Sequence, residues 1–175
     1  MPRLLDFIAS EVLEVVFDRV IEKRKEKADF RKLEARIREE HSRVARHWAE
    51  RGKQQSLRGF NLTGAHLEDV DLAEANLTEA SFRNAHLINI DLSAANLNDA
   101  DFSRACLENV NFVRANLSKV NFSDASLRNI NFEKANLRDA NLLEVKEIEN
   151  CIWSGVYINS QTELKQEIKT QIVES

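Results

Sequence analysis

Between Leu57 and Leu142 the chain keeps one rule: every fifth residue is Leu or Phe, through eighteen repeats without an exception. Two residues before nearly every one of these stands a small or β-branched residue, as in Ala65, Val70, Ala75, Ala80, Ala85 and Ile90. A period of five fits neither a helix, at about 3.6 residues, nor a strand, at about 2, so the pattern predicts a repeat architecture. Written in rows of twenty, the tract aligns further. Val70, Ile90, Val110 and Ile130 share one column, Ala75, Ala95, Ala115 and Ala135 the next, and Asn76, Asn96, Asn116 and Asn136 a third. Asp71, Asp91, Asn111 and Asn131 form a fourth, while Phe82 aligns with Phe102 and Phe122, and Phe112 with Phe132. Four pentapeptides therefore make one unit. That unit predicts a solenoid with four-sided coils, each stacking its side chains on like residues of the coil before it.

Outside the tract the apolar positions take helical spacing. Between Pro2 and Gly52 there is no helix breaker, and Glu, Lys, Arg, Leu and Ala dominate. Leu5, Ile8, Val12, Val15 and Val16 make one apolar stripe; Phe30, Leu33, Ile37, Val44 and Trp48 make another. A charged stretch from Glu22 to Lys27 separates them, with Asp29 placed as an N-cap and Gly52 as a C-terminal stop. This favours two helices with a turn near 27–29; one continuous helix is the alternative. Beyond Leu142 the repeat loosens: Glu147 stands where Leu or Phe is expected, Ile152 and Tyr157 keep the spacing, and Trp153 is placed to close the last coil. Ser160 and Glu163 have the spacing of a capping box, and Leu164, Ile168 and Ile172 mark one face of a short helix over 161–173. That helix reads as a lid, with a frayed tail as the alternative.

Segments such as Ala75-Asn76-Leu77-Thr78-Glu79, Ala95-Asn96-Leu97-Asn98-Asp99 and Ala135-Asn136-Leu137-Arg138-Asp139 resemble the A-(D/N)-L-x-x motif of pentapeptide-repeat proteins. The resemblance covers about half of the chain. It implies an all-β solenoid, a right-handed quadrilateral β-helix of about four to five coils, in which the central Leu or Phe and the residue two before it point inward. Leu77, Phe82, Leu97, Phe102, Phe112, Phe122 and Phe132 are then core residues. The expected plan is a helical arm or cap over 1–52, the β-helix over 53–160, and a C-terminal capping helix and tail over 161–175. The first 52 residues lie outside the family pattern, so the resemblance leaves their role open.

Composition narrows the function. A formal charge of −4 argues against direct nucleic-acid binding, which calls for a basic surface. The apolar residues 4–21 carry Asp6, Glu11, Glu14, Asp18 and Arg19, which neither a membrane span nor a secretory h-region accommodates; the expected location is the cytoplasm. Charge is uneven along the repeats. Residues 53–101 hold eight acids and three bases, residues 102–149 hold seven of each, and residues 22–51 hold eleven bases and seven acids.

Candidate chemistry is sparse. His66, His86, Cys106 and Ser126 form an outward column, but ligands standing in a line about 4.8 Å apart do not close round one ion, so a polar ladder is expected rather than a metal site. Cys106 and Cys151 fall on neighbouring sides about two coils apart, too far for a disulfide. The four glycines are too scattered for a phosphate loop, and no acid/base pair stands out, so no cofactor and no catalysis are expected.

The sequence thus points to a non-catalytic protein-binding scaffold, its helical arm serving assembly or recognition of an unidentified protein through Leu5, Ile8, Val12, Val16, Phe30, Leu33, Ile37, Val44 and Trp48. Homo-oligomers would form through these helices or through a rod end. Two alternatives stand beside it. Some pentapeptide-repeat proteins mimic duplex DNA and bind topoisomerases such as gyrase, although no side of this solenoid is uniformly acidic. A membrane-peripheral adaptor anchored by 4–21 is disfavoured, because such helices are usually basic.

Overall fold

Each pentapeptide builds one side and one corner of a coil. In three of the four sides the corner closes with a hydrogen bond from the small inward residue back to the preceding Leu or Phe: Ala65 N–H to Leu62 O at 3.0 Å, Ala75 to Leu72 at 3.1 Å, Ala80 to Leu77 at 3.0 Å. The residue before that donor is left-handed, with φ of +67° at Gly64, +66° at Glu74 and +60° at Glu79, the signature of a type II turn. The structure, a computed structural model, describes the backbone of residues 4–50 and 56–174 and the side chains of 23–50 and 56–172. Two compact units make up the chain, Met1–Ile37 and Arg38–Ser175.

The fourth side of each coil is a short parallel strand. Strands β1 (His66–Glu68), β2 (His86–Ile88), β3 (Cys106–Glu108), β4 (Ser126–Arg128) and β6 (Glu147–Glu149) form one sheet in that order, and β5 (Asn141–Leu142) pairs with β7 (Glu163–Leu164). Three further ladders of single bridges run through Asn61, Asp71 and Asn76 and their equivalents twenty residues on. The result is a four-sided β-solenoid of about five turns.

Inside, the Leu and Phe columns are fully buried, and Ala75, Ala95, Ala115 and Ala135 keep the backbone close to them. The phenylalanines stack coil on coil: Phe82 on Phe102 at 4.5 Å, Phe102 on Phe122 at 5.1 Å, Phe112 on Phe132 at 5.3 Å. The two stacks meet edge to face, as Phe102 and Phe112 do at 5.9 Å and 89°. Such pairs are each worth about 0.5–1.5 kcal/mol beyond the area they bury.

Asn and Asp precede the central residue because they serve twice. Oδ1 of Asn111, Asn121 and Asn131 accepts the backbone N–H two residues on, capping the corner. Nδ2 of Asn111, Asn116 and Asn136 donates to Asp91, Asn96 and Asn116 of the coil before, at 3.0–3.1 Å. A separate ladder climbs the left-handed corner after the strands, through Asp69, Asn89, Asn109, Asn129 and Asn150. These positions have φ of +52° to +55°, a conformation that Asn and Asp tolerate better than other side chains do.

The expected frame fails after Leu142. Asn121 bridges Asn141 but Ser126 pairs with Glu147, so one extra residue enters between Leu142 and Glu147. Ile152 and Tyr157 therefore pair with the outward Asn131 and Asn136 and are exposed, although five-residue counting puts them inside. Trp153 takes the inward place: it is buried, stacks on Phe132 at 4.5 Å and donates its indole N–H to Gln171 Oε1 at 2.7 Å. A second extra residue enters between Tyr157 and Glu163. The expected capping box is not formed, since Glu163 lies in β7 and the terminal helix α2 spans Gln166–Glu174. Leu164 and Ile168 are buried and Ile172 packs against the same core.

The N-terminal segment is one helix, α1 (Leu4–Arg46), not two. Asp29 does not cap a second helix. It lies within α1, 3.9 Å from Lys32 one turn on, in a stretch of Glu, Lys and Arg that are themselves good helix formers. The last turns of α1 and the turn that follows it belong to the solenoid unit: Val44, Ala45 and Trp48 join its core. His41 stacks on Phe60 at 4.2 Å, and its Nδ1 accepts the Asn61 N–H at 2.8 Å. Gly52, the expected helix stop, lies outside the described residues; α1 gives way to turns after Arg46, with His47 N–H bonded to Val44 O at 3.2 Å.

Not every left-handed corner holds a suitable residue. Ala94 has φ of +54°, is exposed, and offers no side-chain hydrogen bond to offset the strain. Ala94→Gly should raise unfolding stability by about 1 kcal/mol, read as a higher denaturant midpoint at unchanged slope. A lowered midpoint would show that the corner is not strained.

Candidate functional site: the five-stranded face

Among the described residues, the one side of the coil paired through five successive strands presents two outward columns. His66, His86, Cys106 and Ser126 pair in register in one; Glu68, Ile88, Glu108 and Arg128 pair in the other. Both columns face out because the intervening Leu67, Leu87, Leu107 and Leu127 point into the core. The His66 and His86 rings are 6.1 Å apart and tilted by 40°. Between the columns lies a shallow groove of about 150 Å³ lined by His86, Ile88, Cys106, Glu108, Arg128 and Glu147.

The groove mixes signs. Arg128 donates to Glu147 at 2.8 Å and lies 3.9 Å from Glu149, with all three side chains at least half exposed, so each pair contributes about 0–1 kcal/mol. Among the described residues no cluster of three or more His, Cys, Asp or Glu could hold a metal ion. Such a surface is suited to hydrogen bonding, ion pairing and a modest apolar contact with another chain.

The two cysteines differ. Cys106 is exposed in the groove; Cys151 is partly buried, its thiol pointing at Leu127 O (3.7 Å) and Glu149 O (3.6 Å), and both are free. Burial pushes the Cys151 thiol above its ordinary range, against a smaller opposing effect of backbone hydrogen bonds.

The residues read from the sequence as an assembly surface separate into three groups. Val44 and Trp48 are buried in the solenoid core. Phe30, Leu33 and Ile37 are exposed on α1, while the side chains of Leu5, Ile8, Val12 and Val16 lie outside the described residues. Leu77, Phe82, Leu97, Phe102, Phe112, Phe122 and Phe132 are all fully buried. Sequence reasoning missed the Asn89–Asn109–Asn129 ladder and the Ile88, Glu108, Arg128 column. Their twenty-residue spacing was the available signal, but nothing in the repeat distinguishes an outward position that faces a groove.

This geometry defines a β-solenoid repeat protein whose exposed side chains stand in fixed columns. A model described as pentapeptide repeat region matches residues 75–153, and one described as pentapeptide repeats (8 copies) matches residues 56–87. A solved pentapeptide-repeat protein of the cyanobacterium Cyanothece is 30% identical, with a TM-score of 0.53 over 61% of this chain and 88% of that one. Another, from the thylakoid lumen of Arabidopsis thaliana, is 24% identical with a TM-score of 0.41, covering 70% of this chain and 79% of that one. QnrB1, a plasmid-mediated fluoroquinolone resistance protein, is 18% identical with a TM-score of 0.32, covering 65% of this chain and 69% of that one. No curated protein matches. The chain belongs to the pentapeptide-repeat family.

With a thiol-reactive chromophore at neutral pH, labelling should be biphasic. Cys106→Ser should remove the fast phase, since Cys151 holds less thiolate and less access. Loss of the slow phase instead would reverse the assignment.

Proposed function

We propose that this protein is a non-catalytic protein-binding scaffold, with the five-stranded face as its docking surface and α1 as an assembly element. The observation that carries the reading is the registered pair of outward columns flanking the groove at Ile88, Cys106 and Arg128. A surface fixed from beneath by a filled core loses little side-chain and backbone freedom on binding, which favours recognition by preformed shape. The free thiols of Cys106 and Cys151 support a reducing, cytoplasmic setting. Among the described residues no helix is long and apolar enough to cross a membrane.

A DNA-mimicking role draws no support from the surface. Arg58 pairs with Glu79, Arg83 with Asp101, Arg104 and Lys146 with Asp124, and Arg128 with Glu147, so acidic positions are interrupted by bases rather than aligned as phosphates would be. Gyrase supercoiling should accordingly be unaffected by micromolar protein; inhibition would restore that reading.

The scaffold reading is tested by cross-linked affinity capture with wild type, Ile88→Arg on the groove and Arg114→Ala on another side. The expected outcome is a partner whose recovery falls at least tenfold with Ile88→Arg alone, at an unchanged thermal transition. Equal recovery with both variants would remove the face from the proposal.

A further inference from the structure

Phe30, Leu33 and Ile37 lie on one face of α1 and are 61%, 53% and 42% exposed. Their spacing is that of a and d positions in one heptad frame, whose next a position, Val44, is already buried in the solenoid unit. Followed toward the N-terminus, the same frame assigns Glu26, Lys23 and Arg19, then Val16, Val12, Ala9 and Leu5. The seam is therefore apolar at both ends and charged in the middle. Charge divides along the same helix: residues 4–21 carry four acids and one base, a net −3, and residues 22–37 carry seven bases and four acids, a net +3.

We propose that α1 pairs with the α1 of a second copy of this chain, antiparallel and seam against seam. This rests on the reading of α1 as an assembly element and names its occupant. The antiparallel sense follows from the charge. Running side by side in opposite directions, the −3 segment of each copy lies along the +3 segment of the other; running parallel, like meets like in both halves. One frame serves both partners. With Leu5 level with Ile37, Ala9 comes level with Leu33 and Val12 with Phe30, each an a position facing a d position. At the centre Arg19 comes level with the other copy's Lys23 and Val16 with its Glu26, so the two basic side chains of each copy are balanced there by Glu22 and Glu26 rather than by one another. The pairing is isologous and closes at two copies. At about 1.5 Å per residue, the helix up to Ile37 offers a seam of roughly 50 Å.

Light scattering on the full chain across a concentration range tests this. Twice the 20.1 kDa chain mass is expected at micromolar protein and low salt, with dissociation promoted by salt. Leu33→Asp should give the single-chain mass with an unchanged solenoid melting transition. Glu11→Lys with Glu14→Lys should weaken the dimer at least tenfold, and adding Arg31→Glu with Lys32→Glu in the same chain should restore it. A monomeric wild type would overturn the proposal, as would a dimer that survives Leu33→Asp. Tighter association on reversing Glu11 and Glu14 would overturn the antiparallel sense, because it relieves repulsion only in a parallel pair. Repeating the capture experiment with Leu33→Asp separates this from the scaffold reading: a monomeric wild type whose captured partner is lost on that substitution leaves α1 as a recognition element and sinks only the self-pairing.

Discussion

Every side of the solenoid is held by backbone hydrogen bonds to the coil above and the coil below, and the rest of the structure answers to that one requirement. Leu62 N–H reaches Ser81 O at 2.7 Å, Phe82 reaches Asp101 at 2.7 Å and Phe102 reaches Asn121 at 2.8 Å, so a side that drifts in length loses its partner. Equal sides need equal corners, which places a left-handed residue every five positions whether or not the side chain suits it. Small inward residues follow from the same geometry, because the chain turns through four corners in twenty residues and leaves room for one large side chain per side. The Asn and Asp columns follow too, since a coil stacked on its copy brings each amide within reach of the identical amide one coil away.

The requirement also explains the ends. A terminal coil has a neighbour on one side only, and its exposed edge would pair with any strand that arrived. At the first coil, His41 accepts the N–H of Asn61 while Val44, Ala45 and Trp48 cover the core. At the last, Lys165 Nζ donates to Val145 O at 3.2 Å, and Leu164, Ile168 and Trp153 close the interior. The two extra residues of the last coils sit where this closure is made, so the departure from period coincides with the change of task.

What the sequence conveyed follows from how the constraint writes itself into residues. The columns were legible because stacking demands like beside like, and Phe82, Phe102 and Phe122 declare their contact by their spacing alone. The frame shift was not, because residues 148–157 contain Ile148, Ile152, Trp153 and Tyr157, apolar enough to satisfy two frames at once. Only pairing partners decide between them. The turn expected near residues 27–29 failed for a related reason: Asp29 is a good N-cap in isolation, yet nothing around it obliges the helix to stop. On the candidate face, Ile88 and Glu108 carry no mark in the repeat, since outward positions are free to vary and position on the surface has no local signature.

Capping changes the meaning of the apolar stripe on α1. Read as a list, Phe30, Leu33, Ile37, Val44 and Trp48 are one face of one helix; in the structure their tasks differ, because Val44 and Trp48 are consumed in covering the first coil and Phe30, Leu33 and Ile37 are not. At each end described the core is covered and a backbone group of the edge is bound, Asn61 N–H by His41 and Val145 O by Lys165. The two surfaces, the five-stranded face and the apolar stripe of α1, are chemically unlike. The five-stranded face is polar, with mixed charge and shallow relief, suited to specificity at modest affinity. The helix presents large apolar groups whose exposure costs about 1.5–3 kcal/mol each relative to burial, which supplies affinity but little selectivity unless charge sets the partner and its direction. On the proposed reading, one surface holds the assembly and the other is left for a partner.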